Sequence, residues 1–423
     1  MDLMVIATPT PLPAPQSPAL AEIILSLPID PAQFRPMIYV VDRNTMLPVA
    51  PILDYLTDCQ EKRSNSLQTI RNKAGALYEF FLYLDALDID YRDVKLADII
   101  TYKHRLDAYV SPRRLRKLAK GTINIRVRCA ADFCVYHDIN DIRKEINNTT
   151  TAIRNRTFSY CAASNNKLLS KDTTPIVESI AHSDLGTIFG RLREVHRGAG
   201  LRDWLVAAFC LTTGCRLNEG LALTVARVRT AEVGTVHGGI AYIILDVTKG
   251  NVPRRIAVDR ALLSLIEDYI NGPRAEAVAR GQRARDDTLD PNEVFLNGTS
   301  CAPALSGKPL AARRVQATFT EVQHAVGVTR AAMAVDPITG VTTSLRLAAK
   351  HTFHHLRHTF AVNAWEAYEQ LPEADRWMAI QAQLGHRSQA TTANTYLRAV
   401  NRIESSARDV LIQYFYSLAG VRR

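Results

Sequence analysis

The chain has 423 residues, 47% of them hydrophobic and 22% charged, which is too long for one ordinary core and too apolar for a disordered protein. No apolar run reaches the length of a membrane span, and seven cysteines without a C-x-x-C pair exclude a zinc ribbon or a disulfide scaffold. Reduced thiols imply a cytoplasmic setting, and the net charge of +10 favours a polyanionic partner.

The first thirty residues contain no Lys or Arg, so they lack the basic start of a secretory signal. Their Pro-rich first half reads as a flexible lead-in. "MIYVVDRNTMLPV" (37–49) has two apolar runs around a polar D-R-N-T and predicts a small hairpin, which closes an N-terminal extension of residues 1–49. Residues 50–138 predict a helical domain. From Ser64 onward, Ile70, Leu77, Phe80, Phe81 and Leu84 recur at spacings of three, four and seven. A second helix fits "KLADIITYKHRLDAYV", and a third fits "GTINIRVRCAADFCVYHD" with Thr122 as its cap.

Residues 101–128 carry nine basic side chains against one acid, Asp107: Lys103, Arg105, Arg113, Arg114, Arg116, Lys117, Lys120, Arg126 and Arg128. Such a run is often only a solvated helix face. Here it is interleaved with Tyr102, Tyr109 and Leu115, which predicts a basic face presented to a nucleic-acid duplex.

Residues 139–180 are polar and Asn/Thr-rich and read as a linker. A second domain, 181–400, opens with "HSDLGTIFGRLREV". Asp184 or Ser183 is its expected cap, and Leu185, Ile188, Phe189 and Leu192 form a buried stripe. "AYIILDVTKGNVPRRIAV" predicts a hairpin with Lys249 and Gly250 at its turn. Segments 272–290 and 328–348 read as surface excursions. Residues 401–423 form a tail helix with Val410, Leu411, Tyr414 and Leu418 on one face.

Four of the eleven histidines fall within 351–358, around Arg357. His354 and His358 have the spacing of a zinc-protease helix, but His355 stands where that motif needs a glutamate, and an arginine between ligands repels a cation. Neither a metal nor a cofactor is expected. Phosphate chemistry fits the cluster better. Guanidinium forks donate paired hydrogen bonds to phosphate oxygens and stay charged at any working pH. A lysine or histidine supplies a proton, and a tyrosine forms a stable ester. "TTGCRLNEGLAL" (212–223) offers Arg216, with Glu219 placed to hold it. "TKG" offers Lys249, with Arg254 and Arg255 nearby. "HHLRHTF" offers His354 and Arg357, and "LGHRSQATTANTYL" (384–397) offers His386 and Tyr396.

In this order, "TGCRLNE", "TKG", "HHLRH", "LGH" and "TTANTY" resemble the catalytic domain of the tyrosine recombinases, the phage integrase family. The resemblance covers residues 181–400, and the basic region 50–138 is similar to that family's core-binding domain. It implies a mainly α fold with a small β-sheet: a two-domain, C-shaped DNA clamp in which a helical core-binding domain joins a mixed α/β catalytic domain.

It further implies that Arg216 and Arg357 clamp the scissile phosphate and that Lys249 protonates the 5′ leaving oxygen. His354 and His386 would bond the phosphate and assist proton transfer, with Glu219 and His358 in support. Tyr396 would attack to give a 3′-phosphotyrosyl link without metal or ATP. The implied assembly is a homotetramer on two DNA sites, with the tail helix docked on a neighbouring protomer and an accessory DNA-bending protein as a further partner. The implied setting is cytoplasmic, in a bacterium, phage or mobile element, with integration or excision as the role. A catalytically silent DNA-binding protein and a single-duplex topoisomerase or resolvase are the alternatives. The extension 1–49 carries no basic residue before Arg35, which suits a protein contact better than an extra DNA-binding arm.

Overall fold

A computed structural model describes residues 2–7, 37–63, 66–112, 115–142, 179–194, 199–233, 239–247, 253–336 and 341–385. It is mainly helical, with small antiparallel sheets. Its contacts divide the chain into two compact units. One comprises Met1–Thr173 with Met333–Ser344, the other Thr174–Ala332 with Leu345–Arg423. Among the described residues, no helix is long and apolar enough to cross a membrane.

In the first unit, strand β1 (Leu3–Ala7) pairs antiparallel with β2 (Ile38–Asp42), from Leu3 opposite Asp42 to Ala7 opposite Ile38. The turn-back expected over 37–49 is present: Asp42 N donates to Leu47 O at 3.0 Å and Val49 N to Val40 O at 2.9 Å, around a Val41–Pro48 bridge. The pairing with β1 corrects the reading of β2 as a strand of that local hairpin alone. It also corrects the start of the lead-in, since Leu3, Ile38 and Val40 are buried in the core of the unit. Their apolar side is worth more against the helices than exposed.

Four helices complete that core: α1 (Ala50–Glu61), α2 (Leu67–Asp85), α3 (Leu96–Ala108) and α4 (Lys120–Tyr136). Ser66 starts α2 by accepting the Thr69 amide at 3.3 Å. The stripe Ile70, Leu77, Phe80, Phe81 and Leu84 is fully buried, at roughly 1.5–3 kcal/mol per side chain as an upper bound. Thr122 does not cap α4. The helix begins two residues earlier, with Ala119 at the N-cap and no side-chain bond there.

The second unit is built on α6 (Ala199–Thr213), whose residues Trp204–Leu211 are all buried. A helix apolar on every side must be covered on every side. Around it pack α5 (His182–Glu194), α9 (Arg260–Tyr269), α12 (His355–Ala367) and strand β7 (Arg254–Asp259). Leu185, Ile188, Phe189 and Leu192 of α5 are buried as expected. Asp184 is not the cap, because the helix starts at His182. Its carboxylate instead accepts from Lys350 Nζ at 2.7 Å and pairs with His351 Nε2 at 2.9 Å.

Short helices α7 (Leu217–Leu221) and α8 (Val225–Arg229) lead to a three-stranded sheet of β5 (Glu232–Val233), β6 (Ile240–Leu245) and β7. The β6–β7 register runs from Ile240 opposite Asp259 to Leu245 opposite Arg254. Asp259 caps α9 through the amides of Ala261 and Leu262.

Segment 272–290 is no loose excursion. A π-helical turn, Ile270–Arg274, continues α9 into α10 (Ala275–Arg285), where Ala277 and Val278 are buried. Arg274 is buried too, with bonds to Glu293 O and Asp290. After α11 (Ala312–Ala325), the expected excursion at 328–348 forms the ribbon β8 (Thr329–Val335) and β9 (Thr342–Ala349). Helix α13 (Glu373–Leu384) packs on α12. The tail 401–423 lies outside the described residues.

Candidate active site

The turn after α6 depends on Gly214, which has φ +66°. A Cβ there would stand 2.3 Å from Phe360 and 2.8 Å from Leu384, so only glycine fits both the conformation and the space. Two residues later Arg216 begins α7, and Glu219 reaches back to it as the third residue of a helix reaches its cap. The Glu219 carboxylate accepts from the Arg216 amide at 2.9 Å and from Arg216 Nη1 at 2.8 Å. It also accepts from Arg254 Nη2 at 2.6 Å.

Burial alone would raise the Glu219 pKa. The Arg254 hydrogen bond, the Arg216 amide and the charge of Arg254 outweigh it and bring a carboxyl that ordinarily titrates near 4.5 down to about 2. Glu219 is therefore ionised at any working pH, and its side chain is only 4% exposed. A carboxyl depressed in the fold stabilises it above its ordinary pKa and loses that contribution as pH falls toward the depressed one. The drop corresponds to roughly 3 kcal/mol, present at neutral pH and lost between about pH 4.5 and 2. Glu219→Gln is accordingly expected to lower urea-unfolding stability by about 2–3 kcal/mol at pH 7 and to match the parent protein near pH 2. Equal stability at pH 7 would show that the carboxylate's charge is not what holds this turn.

Arg357 sits in the first turn of α12 and is 2% exposed. Its Nη1 donates to Gly214 O at 2.6 Å and its Nη2 to Leu384 O at 2.8 Å. The guanidinium thus bridges the turn before Arg216 and the end of α13. That helix stops at Gly385, which has φ +68° and donates its amide to Gln381 O. His386 follows immediately but lies outside the described residues, as do Lys249 and Tyr396.

His354 is exposed one turn ahead of Arg357, with its ring centroid 4.5 Å from that of His358. Partial desolvation, then the charges of Arg357 and Arg216, lower its pKa. It is therefore neutral near pH 7, with one ring nitrogen to donate and one to accept. Both arginines are close enough to act on it. His351, left without a task by the sequence, is buried and structural. Beyond its pairing with Asp184, its amide and carbonyl bond Gln323 at 2.8 and 2.9 Å.

The sequence offered Arg254 only as a neighbour of Lys249 and did not single out Gln383. A signal for Arg254 was present, because in "RRIAV" it shares a strand face with the buried Ile256 and Val258. An inward-facing arginine requires a partner.

The expected DNA-binding residues are not one stripe. Lys103 faces the core of the first unit beside Tyr102, because residues 99, 102, 103 and 106 form the buried side of α3. Tyr102 packs at a tilt against the rings of Phe80 and Tyr83. Arg105 lies over the Tyr83 ring, and Arg126 pairs with Glu79 at 2.7 Å. Arg116, Lys117, Lys120 and Arg128 are exposed. Arg113 and Arg114 lie outside the described residues.

The Phage integrase family model matches residues 179–402, more than half of the chain. The chain belongs to the phage integrase family, the tyrosine recombinases. This match spans every motif of the second unit, from Arg216 to Tyr396. A solved structure of the XerH site-specific recombinase, bound to a palindromic difH substrate in a post-cleavage complex, is similar in fold. It has a TM-score of 0.51 and 16% identity, covering 86% of this chain and 88% of that one. A pre-cleavage XerH complex gives a TM-score of 0.50 and 14% identity, covering 85% of each chain. These identities speak for the shared two-domain integrase fold alone. No curated protein matches the chain.

Proposed function

We propose that this integrase-family chain is a site-specific DNA recombinase that cleaves and rejoins duplex DNA through a 3′-phosphotyrosyl bond at Tyr396, in the integration or excision of a mobile element. The observation that carries the reading is the convergence of Arg216, Arg357 and His354, with Arg216 held by Glu219, Arg357 by the Gly214 and Leu384 carbonyls, and His354 within the field of both arginines. Two guanidiniums, those of Arg216 and Arg254, share a single carboxylate, Glu219, and that of Arg357 bonds the carbonyls of Gly214 and Leu384. The excess positive charge suits a phosphodiester. The XerH structures add support, having been solved on a substrate before and after cleavage.

In this reading Arg216 and Arg357 hold the non-bridging oxygens as charge gathers on them, and neutral His354 bonds one of them. The Tyr396 oxygen attacks phosphorus, giving up its proton through His386. The 5′ oxygen leaves and takes a proton from Lys249. The phosphodiester bond is exchanged for a phosphotyrosyl bond, so a 5′-hydroxyl from either duplex reverses the step. Neither a metal nor ATP enters this balance. Four protomers on two sites, aided by a DNA-bending protein, would exchange the strands, while Arg116, Lys117, Lys120 and Arg128 of the first unit supply phosphate contacts.

The test is incubation with a nicked duplex of the element's own flanking sequence in EDTA, followed by peptide mapping of the covalent complex. An adduct on the peptide bearing Tyr396 is expected. Duplex binding with no adduct would favour a silent DNA-binding protein. An adduct without exchange between two duplexes would favour a single-duplex enzyme.

A further inference from the structure

Arg254 touches two of the segments on which the proposed chemistry rests and begins the strand that follows a third. Its Nη2 bonds Glu219, which in turn holds Arg216. Its Nε donates to Gln383 O at 3.3 Å, at the end of the helix that leads to His386. The side chain also lies flat on Gly385, where a Cβ would come within 2.9 Å of Arg254 Cδ and Nη1. Gln383 repeats the link from the other side. Its side chain accepts from the Ala257 amide at 3.2 Å and donates to Ala257 O at 2.9 Å. The end of α13 is thereby stitched to β7, the strand on which the Lys249 hairpin returns.

We infer that Arg254 is a positioning residue for strand cleavage, locking the Arg216 turn, the segment entering His386 and the base of the Lys249 hairpin into one frame. This rests on the recombinase reading above. The Arg254 guanidinium is engaged on both sides within the protein, by Glu219 through Nη2 and by Gln383 O through Nε. Its neighbour Arg255 has no such part. It points outward to Glu232 at 2.8 Å and lies over the Tyr242 ring. Displacing a reacting group by about 1 Å costs on the order of 10²-fold in rate, which sets the scale of the expected effect.

The experiment is single-turnover cleavage of the nicked duplex by the full chain at saturating protein, for Arg254→Met and Arg254→Lys. Arg254→Met is expected to cleave about 10²-fold slower than the parent protein while binding the duplex within roughly threefold. Arg254→Lys, which keeps a charge for Glu219, is expected to recover about tenfold of that loss. In Arg254→Met the acid limb of the pH–rate profile should also move to higher pH, since Glu219 loses its strongest partner.

A Met variant within twofold of the parent protein at every pH overturns the inference. So does a loss shared equally by cleavage and duplex binding, because that marks a merely structural residue. Should the Met variant not fold, Arg254→Lys combined with Glu219→Gln decides the matter. The pair is expected to lose no more than Glu219→Gln alone, and multiplicative losses count against a shared path. If the unmodified protein forms no adduct at all, the recombinase reading falls first and takes this one with it.

Discussion

Tyr396→Phe is expected to yield no covalent DNA complex at all, while binding the duplex as tightly as the parent protein. The substitution removes one oxygen and leaves the ring, so packing and phosphate contacts are nearly preserved. Without that oxygen no ester can form, whatever the state of the arginines. No other side chain in the motif set substitutes for it, since His354 is a neutral imidazole beside two cations. The other tyrosines of the C-terminal stretch, Tyr414 and Tyr416, sit eighteen and twenty residues further on in an apolar run. Denaturing electrophoresis of labelled duplex after protein incubation reads the result directly. Adduct formation by the Phe variant would move the nucleophile elsewhere and undo the mechanism.

The second large effect is expected at Arg357. Arg357→Ala should slow cleavage by about 10²- to 10³-fold, the usual cost of removing one preorganised donor from a developing oxyanion. It should also destabilise the second unit. Gly214 O and Leu384 O are bonded by the guanidinium, and a buried carbonyl stripped of its donor costs about 1–3 kcal/mol. Arg357→Lys is not expected to rescue it. A single ammonium cannot match the fork that spans these two carbonyls, and only a planar group can do so while presenting a further edge to phosphate. Single-turnover cleavage and thermal unfolding separate the two losses. A rate within tenfold of the parent protein for Arg357→Ala would remove this arginine from the clamp.

The Arg216 turn and the end of α13 were legible because each belongs to a short run whose chemistry is local. The Glu219–Arg216 contact follows from a three-residue spacing at a helix start, and the glycine of "LGH" from the need to end α13. What escaped was non-local. Strand β1 finds its partner some thirty residues downstream, so nothing near Leu3 announces a sheet. Helix α10 hides a narrow apolar side, Ala277 and Val278, in a sequence dominated by arginine and alanine.

The basic run 101–128 misled for a related reason. Counting charge ignores the helical period that turns Tyr102 and Lys103 toward the core of their own unit. Arg254 lay between the two kinds of signal. Its strand alternation pointed inward, but its partners come from thirty-five residues upstream and about one hundred and thirty downstream.

The β6–β7 register ends at the Leu245–Arg254 pair, and this sets a seam for protein engineering. Residues 246–253 lie beyond the paired register, so a graft confined to them leaves the β6–β7 ladder intact. Arg254 is the first residue that a graft must leave alone. A junction placed even one position later would carry away the tie to Glu219 and Gln383.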